Sequence, residues 1–209
     1  MLGIFGGTFD PIHYGHLSAA WQVYQTLNLT QLRFMPCNHP PHRSAAIANA
    51  THRVNMLKLA IKDIPEFVID DRELKSNDIS YSVNSLKQIR QEIGNTPLCF
   101  ILGLDAFNQI HTWHEPFEII KLAHIIVLGR PDHNLNQTDM INDLMQHQID
   151  NPEKLKMQNA GFIYFEQNTL LDISATQIRN MLIQGISPKF LLPDDVLDYI
   201  EHEGLYSSV

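Results

Sequence analysis

Two histidines three residues apart, His13 and His16, follow a diglycine, Gly6-Gly7, and a threonine, Thr8. All lie in the run Gly3-Ile4-Phe5-Gly6-Gly7-Thr8-Phe9-Asp10-Pro11-Ile12-His13-Tyr14-Gly15-His16. Glycines let backbone N–H groups approach an anion, imidazoles and a hydroxyl donate to its oxygens, and a helix start adds its dipole. A tight turn alone would explain Gly6-Gly7 but gives no reason for two imidazoles beside it. The spacing is not the dinucleotide fingerprint G-x-G-x-x-G, nor a P-loop, since no Gly-Lys-Ser/Thr follows. A second set lies far along the chain: Ser174-Ala175-Thr176 with Arg179. An N-cap and an exposed arginine would account for it alone. Beside the opening run, its hydroxyls and guanidinium read as a grip on the β- and γ-phosphates of a triphosphate.

Such groups must be held by a frame, and the hydrophobic pattern supplies one. Leu2 to Phe5 reads as a buried strand, and a helix is expected after Gly15, with Leu17, Ala20, Trp21, Tyr24 and Leu27 on its apolar side. Residues 31–36 form a short strand. The segment 37–43, with Pro40 and Pro41, is a stiff loop in which His42 and Arg43 either point a positive edge into a site or are simply solvated. A helix over 51–62 with Thr51 as N-cap, a strand at 67–70 and a helix opened by Ser80-Tyr81-Ser82 follow. Leu98 to Leu102 is continuously apolar, as in a strand buried on both faces, and ends at Gly103-Leu104-Asp105. A helix finishing at Ile119 to Lys121, a strand at 124–128 closed by Gly129-Arg130-Pro131, and a last strand at 161–165 complete the alternation. Helices from about 173 to 184 and 194 to 201 end the chain. This predicts an α/β fold: a doubly wound, Rossmann-like parallel sheet with helices on both faces and a small C-terminal helical segment at about 174–209. The polar stretch 132–160 reads as a surface excursion from one domain spanning 1–209. In such a sheet ligands bind at the carboxyl ends of the strands, where the first turn, 103–105, 129–130 and 173–179 all fall.

Composition narrows the partners. Apolar residues make up 44% of 209, enough for a full core, while a net charge of −8 argues against nucleic acid. An anionic nucleotide must then rely on a local positive site and a cation. Two cysteines, Cys37 and Cys99, suggest neither a disulfide framework nor a zinc site. No secretory signal is visible, and the longest apolar stretch is far short of the roughly 20 residues of a membrane span. A cytoplasmic protein with no membrane partner is expected.

The run His13-Tyr14-Gly15-His16 resembles the His-x-Gly-His signature of the nucleotidyltransferase superfamily, and Ile173-Ser174-Ala175-Thr176-Gln177-Ile178-Arg179 its Ile-Ser-x-Thr-x-Ile-Arg signature. Ala175 stands where many members have Ser. The order of Pro40-Pro41-His42-Arg43, Ser80-Tyr81-Ser82, Gly103-Leu104-Asp105, Thr112-Trp113, Leu192-Pro193 and Gly204-Leu205-Tyr206 is similar to that of the bacterial nicotinate-nucleotide adenylyltransferase family. The resemblance covers nearly the whole chain except 132–160. It implies adenylyl transfer from ATP to nicotinate mononucleotide, with Mg2+ accompanying ATP and no dedicated protein metal cage. It further implies an ATP site of Gly6, Gly7, Thr8, Phe9, His13, His16, Gly103, Asp105, Arg130, Ser174, Thr176 and Arg179. Of these His13, His16, Thr8 and Arg179 carry the catalysis: His16 on the α-phosphate, His13 on the α- and β-phosphates, and Arg179 with Ser174 on the distal ones. The nicotinate-nucleotide side falls to His42, Arg43, Tyr81, Ser82, Asp105 and Trp113. A helix start at 80–82 receives a carboxylate better than an amide, and an indole stacks on a pyridine, although Trp113 as core and Ser80 as a plain N-cap account for the same residues.

Three rivals stay open at this point. Pantetheine-phosphate and nicotinamide-mononucleotide adenylyltransferases share the signatures. A non-catalytic nucleotide- or metal-binding module would use His13-x-x-His16 and His39-x-x-His42, but no cysteine or carboxylate completes a four-ligand set at the usual spacing. The C-terminal segment serves packing or self-association into a homo-oligomer.

Overall fold

Strands that are apolar along their whole length belong between two layers of helices. Alternate residues of such a strand feed two separate cores. The computed structural model describes residues 1–38, 46–75, 79–129, 135–167 and 171–207. His42, Arg43 and Arg130 therefore lie outside the described residues. So does most of the proline loop, with His39 and His42 of the rival metal reading.

The strands β1 (Leu2–Gly7), β2 (Gln31–Pro36), β3 (Phe67–Ile69), β4 (Leu98–Gly103), β5 (His124–Leu128) and β6 (Ile163–Glu166) form one all-parallel sheet in the order β3-β2-β1-β4-β5-β6. The helices are α1 (Tyr14–Thr26), α2 (Ala50–Ile61), α3 (Ser82–Ile93), α4 (Leu104–Asn108), α5 (Pro116–Leu122), α6 (Asp139–Met145), α7 (Ala175–Ile183) and α8 (Asp194–His202). Along β4, Cys99 and Ile101 enter one core with Leu17 and Val23 of α1, Met56 of α2 and Val196 of α8. Leu98, Phe100 and Leu102 enter the other with Leu86 of α3, Ile119 of α5 and Leu144 of α6. The doubly wound α/β architecture expected from the sequence is the one observed.

The chain winds outward from β1 to β3 in one direction and from β4 to β6 in the other. The connections therefore part above the carboxyl ends of β1 and β4, and a crevice opens there. Gly7 ends one of these neighbours and Gly103 the other.

Several element ends differ from the sequence expectation. α1 begins at Tyr14, before Gly15, because His13 takes the extended N-cap conformation and its carbonyl accepts from the N–H groups of His16 and Leu17. α2 is capped by Asn49, whose side chain accepts from the His52 N–H at 3.0 Å, leaving Thr51 inside the first turn. Tyr81, not Ser80, is the N-cap of α3. β6 starts at Ile163 because Gly161, at φ 104°, departs from extended backbone. The 132–160 stretch is less superficial than its polarity suggests: Ile141, Leu144, Ile149 and Leu155 are buried.

Candidate active site

The crevice is a cavity of about 1040 Å3. From the first turn it is lined by Gly6, Gly7, Thr8, Phe9, His13 and His16, and from the end of β4 by Gly103 and Asp105. From the start of α7 it takes Ser174, Thr176 and Arg179; the opposite wall carries Tyr81, Ser82 and Trp113. Every described residue that the sequence suggested for ligand contact thus faces one space.

Glycine is needed here for close approach. A Cβ on Gly15 would lie 2.9 Å from His13 Nδ1 and 3.2 Å from the Ile173 carbonyl, so the glycine lets His13 fold against α1 and the 173–174 segment come near. A Cβ on Gly103 would sit 2.6 Å from an Asp105 carboxylate oxygen. Gly103 therefore makes room for the Asp105 side chain to turn back over the end of β4.

His13 and His16 lie with ring centroids 3.7 Å apart and planes 32° from parallel. Phe9 packs edge-on against His16 at 5.2 Å and is itself buried in the core, so Phe9 fixes the imidazole rather than presenting its ring to solvent. His13 is 5% exposed, and burial lowers its pKa to about 4. It is a neutral imidazole at neutral pH. Its Nδ1 is buried with no hydrogen-bond partner among the described residues, an arrangement that costs roughly 1–3 kcal/mol and leaves a polar atom beside the cavity unsatisfied.

At α7, Ser174 is the N-cap: its Oγ accepts from the Gln177 N–H at 3.1 Å. Thr176 Oγ1 accepts from Arg179 Nη2 at 3.2 Å. A hydroxyl that accepts in this way keeps its own proton to donate to an anion. Arg179 Nη1 donates to the Asp10 carbonyl at 2.6 Å, tying α7 to the first turn across most of the chain. Thr8 is held from two sides, its carbonyl by Arg53 Nη1 at 2.8 Å and its hydroxyl by the Cys37 thiol at 3.5 Å.

On the opposite wall the Tyr81 N–H is turned to the Ile79 carbonyl, while Asn84 and Ser85 donate to the Tyr81 carbonyl. The helix start leaves the N–H groups of Ser82 and Val83 without an intrahelical acceptor, and of these two residues Ser82 lines the cavity. Trp113 is half-buried, with its indole edge-on to Phe100 at 6.2 Å. It is neither plain core nor surface.

Sequence reasoning missed several residues here. Glu73, 7% exposed, lines the cavity and accepts from Ser85 Oγ at 2.7 Å. Burial raises its pKa, opposed by hydrogen bonds from Ser85 and Ser80. His114 lies against Tyr81, ring centroids 4.5 Å apart. Arg53, 2% exposed, was hidden in an amphipathic helix pattern. None of these carries a local sequence signal, because each acts through a partner distant in sequence.

Among the described residues no group of three or more His, Cys, Asp or Glu is placed to hold a metal ion, and no helix is long and apolar enough to cross a membrane. From the described residues the cavity wall offers imidazoles, hydroxyls and the Arg179 guanidinium, a donor set suited to phosphate oxygens.

A parallel sheet carrying a His-x-Gly-His helix start at its reversal point is a nucleotidyltransferase arrangement, and the chain belongs to the cytidylyltransferase-like family, whose sequence profile matches residues 4–181. Within that class its similarity is specific. It is 46% identical over 209 residues to the "Probable nicotinate-nucleotide adenylyltransferase" of Methylococcus capsulatus, covering 99% of this chain and 100% of the relative. It is 45% identical over 206 residues to the protein of the same name from Escherichia coli, with 97% of each covered. In fold it matches the Plasmodium falciparum nicotinic acid mononucleotide adenylyltransferase complexed with NaAD, at a TM-score of 0.75 and 20% identity, over 98% of this chain and 96% of that one.

Proposed function

We propose that this chain transfers the adenylyl group of ATP to nicotinate mononucleotide, giving deamido-NAD and pyrophosphate. The observation that carries the reading is the meeting in one cavity of the two phosphate-seeking sets, around His13–His16 and Ser174–Arg179, with a helix start and an indole on the far wall. The full-length relatives named for this activity support it.

An oxygen of the mononucleotide phosphate attacks the α-phosphorus of ATP. The new P–O bond forms as the bond from that phosphorus to the bridging oxygen breaks, and the electron pair leaves with pyrophosphate. The nucleophile is already anionic, so no general base is needed. Catalysis is then a matter of positioning two anions in line and stabilising charge on the α-phosphate and the leaving group. His16 donates to the α-phosphate and His13, kept neutral by burial, to the α- and β-phosphates. A nearby triphosphate favours the protonated form of His13. Thr8 and the backbone of Gly6, Gly7 and Phe9 cradle phosphate, while Arg179, Ser174 and Thr176 hold the distal groups. Gly103 and Asp105 meet a ribose, and Arg130 the adenosine end. Mg2+ accompanying ATP would supply charge neutralisation at the triphosphate, leaving the protein donors named above to position it.

On the mononucleotide side, Ser82 with the helix start at Tyr81 receives the pyridine carboxylate, Trp113 stacks on the ring, and His42 and Arg43 serve its phosphate. A carboxylate at a helix N-terminus gains from the dipole in a way a neutral amide does not, which favours nicotinate over nicotinamide. Neither Cys37 nor Cys99 is joined in a disulfide, which agrees with a cytoplasmic setting.

The test is pyrophosphate release from ATP and Mg2+ with nicotinate mononucleotide, nicotinamide mononucleotide or phosphopantetheine offered separately. Strong preference for the first is expected. Equal rates with the amide would remove the carboxylate argument, and no release with any of them would reduce the site to nucleotide binding.

A further inference from the structure

Asp10 is 5% exposed and lies in the first turn between Thr8 and His13, yet its carboxylate is not free to meet a ligand. Oδ2 accepts from the Ile47 N–H at 2.7 Å, and Oδ1 accepts from the Ala48 N–H at 3.1 Å and from the Tyr206 hydroxyl at 2.5 Å. Tyr206, 7% exposed, follows α8 near the end of the chain, and burial together with the Asp10 carboxylate raises its pKa, so it remains a donor. One side chain thus gathers the first turn, the 47–48 backbone and the C-terminal segment. The main chain of the same residue does something different. Its carbonyl accepts from Arg179 Nη1, while Arg179 Nη2 is steadied by Thr176. A guanidinium has N–H groups to spare beyond these two bonds, and they remain for phosphate oxygens.

We propose that Asp10 is a positioning residue for ATP: its carboxylate pins the 47–48 backbone and Tyr206 to the first turn, and the turn so held presents the carbonyl that aims Arg179 at the triphosphate. Asp10 lies at the cavity wall, but its role is to hold the turn and not to bind substrate. Its three acceptor bonds fix where its own peptide lies, and the Arg179 guanidinium follows that peptide. Tyr206 contributes from outside the cavity by the same route. The inference rests on the reading of Arg179 as a phosphate ligand.

The experiment compares wild type, D10N, Y206F, R179A and D10N/R179A, each full length, by ATP titration calorimetry and by steady-state pyrophosphate release with ATP and nicotinate mononucleotide. An amide at position 10 turns a donor toward groups that donate, and Y206F removes one bond only. D10N is expected to raise the ATP KM and Kd by on the order of 10-fold or more, with the mononucleotide KM changed less than about twofold. Y206F shifts ATP in the same direction by a smaller factor. In the R179A background D10N should add less than about twofold, since both act through one guanidinium. Wild-type ATP affinity in D10N and Y206F, even with a lowered Tm, would overturn the proposal, as would full additivity of D10N and R179A. Should D10N fail to fold, Y206F decides by the same criterion. Failure of wild type to adenylate nicotinate mononucleotide would overturn the proposed reaction instead, because the calorimetric ATP arm stands apart from the acceptor.

Discussion

Each imidazole and the arginine are held in place by neighbours before any substrate arrives. His16 is wedged edge-on by Phe9, His13 is folded against Gly15, and Arg179 is bonded to the Asp10 carbonyl and Thr176. Preorganised donors of this kind avoid reorganisation as charge builds. His16→Ala is therefore expected to lower turnover by on the order of 10²-fold or more, the scale for losing one such donor. Near wild-type turnover would sink the assignment. Arg179→Ala should act chiefly on the ATP concentration needed for half-saturation, and an unchanged ATP saturation curve would refute its role. The residue types were legible in the sequence because few structural needs place two histidines, a threonine and a diglycine together. Their supports were not: Arg53 and Tyr206 bond to the first turn from distant parts of the chain.

At the scale of elements, β5 opens on a buried histidine that does structural work. His124 Nδ1 accepts from the Phe162 N–H at 3.2 Å, its Nε2 lies 3.0 Å from the Gln158 carbonyl, and its ring stacks on Phe162. These partners require the neutral Nε2–H tautomer, and burial lowers the pKa. The unfolded chain takes up protons below the ordinary histidine value of about 6.5, while folded His124 resists and folded His13 resists down to about 4. Stability contributed by both is thus present above that ordinary value and is lost as pH falls through the acid range. Glu73 and Glu166, whose pKa values burial raises, act in the opposite sense. Chemical denaturation between pH 7 and 5 should show stability falling in wild type and falling less steeply in His124→Gln. Equal slopes would show that His124 titrates normally.

For the whole molecule, the sheet divides the two cysteines between different fates. Cys99 lies in the central strand at 0% exposure, and burial pushes its thiol up to about 12. Cys37, half-buried just beyond β2, sits on the cavity wall against Thr8. A thiol reagent should modify one cysteine in the native protein and both after unfolding. ATP with nicotinate mononucleotide should slow the native reaction, and Cys37→Ser should abolish it. Two thiols reacting at equal rates in the native protein would contradict this packing. The C-terminal segment also finds its place at this scale, as Val196, Leu197, Ile200 and Tyr206 are buried within the chain itself.

Through residue types and periodicity, the order of amino acids encodes whatever is local in this protein. It determined the strand–turn–helix of the first motif, the alternation that demands a parallel sheet, and the residue types for phosphate. Element ends escaped it where a neighbouring residue took the capping role, as Asn49 did from Thr51 and His13 did at α1. That β1 and β4 lie side by side is settled by folding in three dimensions, which brings Asp10 and Arg179, 169 residues apart in the chain, to one cavity. Asp10, Glu73, Arg53 and Tyr206 belong to that second group for a single physical reason. A buried polar group is defined by the partner that satisfies it, and these partners are adjacent only once the chain has folded.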